Sequence, residues 1–138
     1  MIEYADAPPE VRAIYDDITA TRGVDWINNF WKALAHHPPS LERVWLQVKE
    51  VMGTGGALDP VVKEMLYVAV SATNGCDYCV ASHTAAARKA GMTDAMLGEV
   101  MAVVGLANQT NALAQGMRVP VDAAFETSAF GHRPADEA

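Results

Sequence analysis

Basic residues are scarce in this sequence: ten Lys and Arg stand against 17 Asp and Glu, for a formal charge of −7. No run of Lys and Arg occurs, which together with the acidic balance argues against a nucleic-acid or anionic-membrane surface, since both need clustered Lys and Arg. Aromatics make up only 7% of a chain that is 51% hydrophobic and rich in Ala and Met, a balance that favours helices over a β sandwich. No apolar stretch reaches the roughly 18 residues of a membrane-spanning helix. The first ten residues, MIEYADAPPE, carry neither a positive leader nor an apolar core, so a cytoplasmic, soluble protein is expected. Cysteine is limited to Cys76 and Cys79. A bridge across two intervening residues would remove almost no loop entropy, so the pair is not a structural staple. In a reducing compartment it reads as redox-active or metal-binding. With 138 residues and no break in composition, the chain is expected to form one domain, 1–138, burying about two thirds of its unfolded surface.

Punctuation by Pro, Gly and capping residues divides the chain into six or seven helices and no strand. Pro8-Pro9 starts a helix that Gly23 ends, with Val11, Ile14, Tyr15 and Ile18 on one face. Asp25 is expected to cap a second, whose Trp26, Phe30, Trp31 and Leu34 serve as core or subunit interface, and Pro38-Pro39 to stop it. His36 and His37 at its end point to different sides, so a terminal cap fits them better than a metal. Ser40 is expected to open a third, striped by Leu41, Val44, Trp45 and Val48, that breaks at a Gly53 to Gly56 loop. Asp59-Pro60 begins a central helix closed by Asn74-Gly75. Its MLYVAVSA run is apolar on nearly every side and therefore reads as buried, with Glu64, Tyr67, Val68 and Ser71 along one side. The next helix begins near Cys76 and stops at Gly91. Thr93-Asp94 caps a longer one bearing Met96, Leu97, Val100, Met101, Val104 and Leu106, with Asn108 and Asn111 interrupting its apolar run as partners for buried backbone or another helix. The segment 119–130 can add a short helix, and 131–138 reads as a solvated tail.

The stretch KEMLYVAVSATNGCDYCVASH organises the rest. Cys76, Cys79 and His83 stand at i, i+3 and i+7, within roughly 60° of one another on a helix, so two thiols and an imidazole share a wall. A free thiol is only about 3% ionised at pH 7, and reactive cysteine chemistry needs the thiolate. A helix N-terminus favours that negative charge, and His83 one turn beyond Cys79 can take the proton. Lowering the pKa by two units needs about 2.7 kcal/mol of preferential thiolate stabilisation, within reach of such neighbours acting together. Glu64, if its helix folds back, can orient His83 as the third member of a relay. Helix-dipole reasoning favours Cys76 as the more reactive thiolate. Against this stand two plainer readings: cysteines and a histidine that merely pack, and a structural zinc held by Cys76, Cys79, His83 and Glu64. The first suits a lone Cys or His better than this constellation, and the second lacks the usual second ligand knuckle.

The pattern Glu64, eleven residues, Cys76-Asp77-Tyr78-Cys79, three residues and His83 resembles the alkylhydroperoxidase D-like branch of the carboxymuconolactone decarboxylase family, over roughly residues 40–120. That resemblance implies an all-α domain assembled as a trimer or hexamer, and the apolar excess agrees with it. It implies a thiol-dependent peroxidase or disulfide oxidoreductase serving antioxidant defence, with a hydroperoxide as substrate. It makes Cys79 the peroxide-attacking thiol, Cys76 the resolving one, His83 the relay base and Glu64 its partner. No bound cofactor is implied beyond the redox-active disulfide Cys76–Cys79, which an external dithiol donor such as a lipoyl group restores. In many relatives another residue, often histidine, stands where this chain has Tyr78. A zinc-stabilised interaction module and a decarboxylase acting on a small lactone are the alternatives; the decarboxylase branch lacks the CxxC pair. Thioredoxin-type sites also use CxxC, but on a βαβ scaffold this chain has no strands to build.

Overall fold

The computed structural model describes residues 1–126, which form seven α-helices and no strand. A short 3₁₀ turn, Tyr4–Asp6, precedes α1 (Pro9–Arg22), α2 (Asn29–Leu34), α3 (Pro38–Met52), α4 (Pro60–Thr73), α5 (Asp77–Lys89), α6 (Asp94–Gly116) and α7 (Ala123–Glu126). The expected tail and the end of the short last helix lie outside the described residues. Two compact units divide between Glu64 and Met65, inside α4.

The first unit is built on helix periodicity. Val11, Tyr15 and Ile18 of α1 recur at i, i+4 and i+7 and are fully buried against Leu41 and Trp45 of α3. Trp31 of α2 completes this core, edge-on to Trp45 with ring centroids 5.4 Å apart. Trp45 also needs a partner for its indole N–H, and it donates to Asp17 Oδ2 at 2.7 Å, the oxygen that also accepts from Lys49 Nζ at 2.7 Å. The N-terminal segment is pinned by Ile2 N–H donating to Lys32 O at 3.0 Å and Tyr15 Oη donating to Ile2 O at 2.9 Å.

Two boundaries differ from those expected. The second helix starts at Asn29, not after Asp25: Gly23 takes a left-handed φ of 62° and Asn28, held by Arg22 through a 2.9 Å hydrogen bond, supplies the extended N-cap. Trp26 is thus left outside the helix and 56% exposed, whereas Trp31 is 4% exposed. Pro38-Pro39 does not merely stop α2; it opens α3, because the first turn of a helix has no intrahelical use for the N–H that proline lacks. His37 is the N-cap residue of α3, its Nδ1 2.8 Å from Ser40 Oγ.

In the second unit the small apolar residues do the burying: Val68 of α4, Ala87 of α5 and Met92 after it, with Ser71 the one buried polar side chain among the described residues. The expectation that α4 is buried on nearly every side does not hold. Leu66 and Val70 are 52% and 59% exposed. In α6, Met96, Leu97, Val100 and Val104 are half-buried, while Met101 and Leu106 of the expected stripe, together with Asn108 and Asn111, are exposed. Helical periodicity identifies a face, but a helix is covered only where another element lies on it.

Candidate active site

The paired cysteines sit where one helix ends and the next begins. Gly75 adopts φ +68°, its N–H donates to Ala72 O at 3.3 Å, and the N–H of Cys76 reaches back to Ser71 O at 3.0 Å. These two bonds satisfy the last carbonyls of α4 in a Schellman closure, which needs a residue that tolerates a left-handed backbone at position 75. Cys76 therefore has its place set by the end of α4. It is simultaneously the N-cap of α5, where its Sγ accepts the N–H of Cys79 at 3.4 Å and its carbonyl accepts from Val80 at 2.9 Å. A sulfur thus stands where Ser, Thr or Asp usually caps, facing unpaired amide N–H groups and the positive end of the helix dipole, a setting that favours negative charge. Asp77 follows in the first turn and Arg88 and Lys89 close the last, in keeping with the same dipole.

Both thiols are free and half-buried. The Cys79 thiol is pushed above its ordinary value, first by its hydrogen bond with Cys76, then by burial and by the nearby Cys76 charge; a hydrogen bond from Ser71 opposes these. Cys79 thus keeps its proton more firmly than an isolated cysteine, and any role as nucleophile requires a base. Ser82 Oγ donates to the Cys79 carbonyl at 3.3 Å.

His83 lies one turn beyond Cys79 on α5, half-buried, its imidazole stacked on the Tyr67 ring with centroids 3.6 Å apart and planes 16° from parallel. Glu64 is half-buried on α4, three residues before Tyr67. The structure therefore brings together Cys76 with Cys79, and His83 with Tyr67. Tyr78 is exposed on the first turn of α5. Sequence reasoning assigned no role to Ser71 or Tyr67. Their spacing of i and i+4 on the Glu64 side of α4 was the available signal. Among the described residues, no three His, Cys, Asp or Glu side chains are grouped so as to hold a metal ion.

The carboxymuconolactone decarboxylase family matches residues 39–122. The chain belongs to that family. Within it, the chain is 33% identical over 113 residues to the alkyl hydroperoxide reductase AhpD of Maricaulis maris, covering 78% of this chain and 64% of that protein. It is 34% identical over 77 residues to an uncharacterised protein of Cupriavidus necator, covering 56% and 68%. The crystal structure of an alkylhydroperoxidase AhpD core from Rhodospirillum rubrum superposes with a TM-score of 0.83 at 59% identity, covering 85% of this chain and 86% of that one. The chain is an AhpD-like member of the family, with the all-helical AhpD-like fold. It spans about two thirds or less of the curated relatives it matches. Among the described residues, no helix is long and apolar enough to cross a membrane.

Proposed function

We propose that this family member is a thiol-dependent peroxidase that reduces hydroperoxides through Cys76 and Cys79 in the cytoplasm. The observation that carries the reading is the N-capping sulfur: Cys76 Sγ receives the Cys79 N–H at the start of α5, so two half-buried thiols meet at a helix terminus that favours thiolate. His83 accepts the Cys79 proton, with Glu64 orienting the imidazole. The Cys79 thiolate attacks the terminal oxygen of the hydroperoxide; an S–O bond forms, the O–O bond breaks, and the alkoxide leaves as alcohol after taking a proton. Cys79 is oxidised to a sulfenic acid and the peroxide is reduced. Cys76 sulfur then attacks Cys79 Sγ, an S–S bond forms, and the hydroxyl leaves as water with the proton Cys76 gives up. An external dithiol, such as a dihydrolipoyl group, restores both thiols by two exchanges and is itself oxidised to a disulfide.

One observation favours the exchanged assignment. Cys79 is the thiol that holds its proton, and Cys76 is the sulfur facing amide donors, so Cys76 as attacking group and Cys79 as resolving group is the second reading. Single-turnover peroxide reduction separates the two. With Cys79 attacking, Cys76→Ser reacts once and traps a sulfenic acid while Cys79→Ser is inert; the reverse pattern exchanges the roles. Normal turnover by both variants, with dihydrolipoamide as donor, excludes the pair as the site. His83→Ala and Glu64→Gln should keep both thiols and slow peroxide consumption by about 10²- to 10⁴-fold, the worth of acid–base assistance.

A homo-oligomer, trimeric or hexameric, is part of the same proposal, supported by the open apolar positions Leu66 and Val70 on α4 and Val103 and Leu106 on α6.

A further inference from the structure

We infer that Tyr67 is a positioning residue for His83, its phenol ring fixing the plane in which the imidazole exchanges a proton with the thiol pair. The inference rests on the proposed relay and adds a member that the spacing of Glu64, Cys76, Cys79 and His83 does not include. An α-helical backbone limits the first side-chain torsion of His83 to a few rotamers, but the second, about the bond to the ring, is broad and roughly two-fold. The position of His83 on α5 therefore does not by itself fix the plane of its ring. A flat partner fixes that plane, and Glu64 of the proposed relay selects the orientation within it. Tyr67 comes from α4, whose C-terminus is tied to the start of α5 by the bonds from Gly75 and Cys76, so the ring and the imidazole are presented by two helices joined through a closed turn.

The stacking geometry says more. At a centroid separation of 3.6 Å and 16° from parallel the two rings overlap face to face, an arrangement that neutral aromatic rings disfavour relative to an offset one. It becomes attractive when one ring carries positive charge, because the phenol face is electronegative. Tyr67 thus lays its electronegative face on the ring that takes the thiol proton in the proposed relay.

The test compares Tyr67→Phe, Tyr67→Leu, His83→Ala and the double variant Tyr67→Leu/His83→Ala in the full chain. Two quantities are read: the rate of thiol alkylation by iodoacetamide at pH 7, and the proton NMR positions of the His83 ring, identified by their loss in His83→Ala. Tyr67→Phe should retain the parent rate and the upfield ring-current position of the His83 signals. Tyr67→Leu should move those signals downfield and slow alkylation by about two- to fivefold. In the His83→Ala background Tyr67→Leu should add nothing. Equal impairment of Phe and Leu would assign the effect to the hydroxyl and overturn the ring-stacking role; so would an undiminished Tyr67→Leu effect in the absence of His83. An unchanged rate in His83→Ala removes the proposed relay and this inference together. A slowed His83→Ala beside an unchanged Tyr67→Leu removes this inference alone.

Discussion

Cys76 has two jobs in this structure, one chemical and one architectural, and they can be separated by comparing alanine with serine. Its Sγ accepts the Cys79 N–H at 3.4 Å, one of the amides at the start of α5 that has no intrahelical partner. Replacing a good N-cap by alanine costs about 0.5–2 kcal/mol, and sulfur is a weak, long-range acceptor, which places Cys76→Ala at about 0.5–1 kcal/mol. For a chain of this size that corresponds to a melting temperature lower by about 2–5 °C. Serine is among the preferred N-caps, so Cys76→Ser should melt at the parent temperature or slightly above it. Neither variant can form the Cys76–Cys79 disulfide, so repeated turnover is lost equally in both. Thr93 supplies an internal standard: its Oγ1 caps α6 by accepting the Met96 N–H at 3.2 Å, and Thr93→Ala should cost about 1 kcal/mol. The assay is thermal unfolding by circular dichroism under reducing conditions, so that every chain is compared in the dithiol state. If Cys76→Ala is as stable as Cys76→Ser while Thr93→Ala is destabilised, the sulfur does not cap α5, and the electrostatic argument for thiolate at this terminus fails with it.

Three further outcomes follow from the same geometry. Gly75→Ala should lose about 1–2 kcal/mol in chemical denaturation, because φ +68° strains a side-chain-bearing residue although nothing lies within 4 Å of its Cβ, and Gly75→Asn should lose less. Asp17 is held below the usual carboxylate range, chiefly by its hydrogen bond from Lys49 and then by that from Trp45, so the folded chain binds this proton more weakly than the unfolded one. Its contribution is present above the unfolded carboxylate value of about 3.9 and is lost as pH falls through that value toward the lower folded one. Asp17→Asn should therefore cost about 1 kcal/mol at pH 7, a modest figure because the ion pair is partly exposed, and the loss should vanish in denaturation curves taken at strongly acidic pH. Light scattering at micromolar concentration should give a mass of at least two chains; a clean monomer would mean that the exposed apolar faces need no partner.

Much of the site was legible in the amino-acid order because its determinants are local. Asn74-Gly75 closes α4, Cys76 opens α5, and three residues then ten more bring Cys79 and the helix end at Lys89 to fixed places along one helix; hydrogen bonds spanning three to five residues set the turn and the cap. The same reasoning failed at Trp26, where Asp25 reads as a cap and Asn28 takes the role, since two capping residues three positions apart are distinguished only by the Arg22 contact and the left-handed turn at Gly23. It failed also on α4, where an apolar circumference was read as burial.

What the sequence determined by itself is the succession of helices and the turn from Asn74-Gly75 into Cys76 that joins α4 to α5, because backbone hydrogen bonds depend on neighbours a turn away. Tertiary structure decided which apolar faces are covered, that Trp45 gives its N–H to Asp17 across 28 residues, and that Tyr67 lies flat on His83. Those contacts join residues on different helices, and no local propensity encodes them: they exist only once the helices have packed and each side chain has met the partner that burial or charge leaves available.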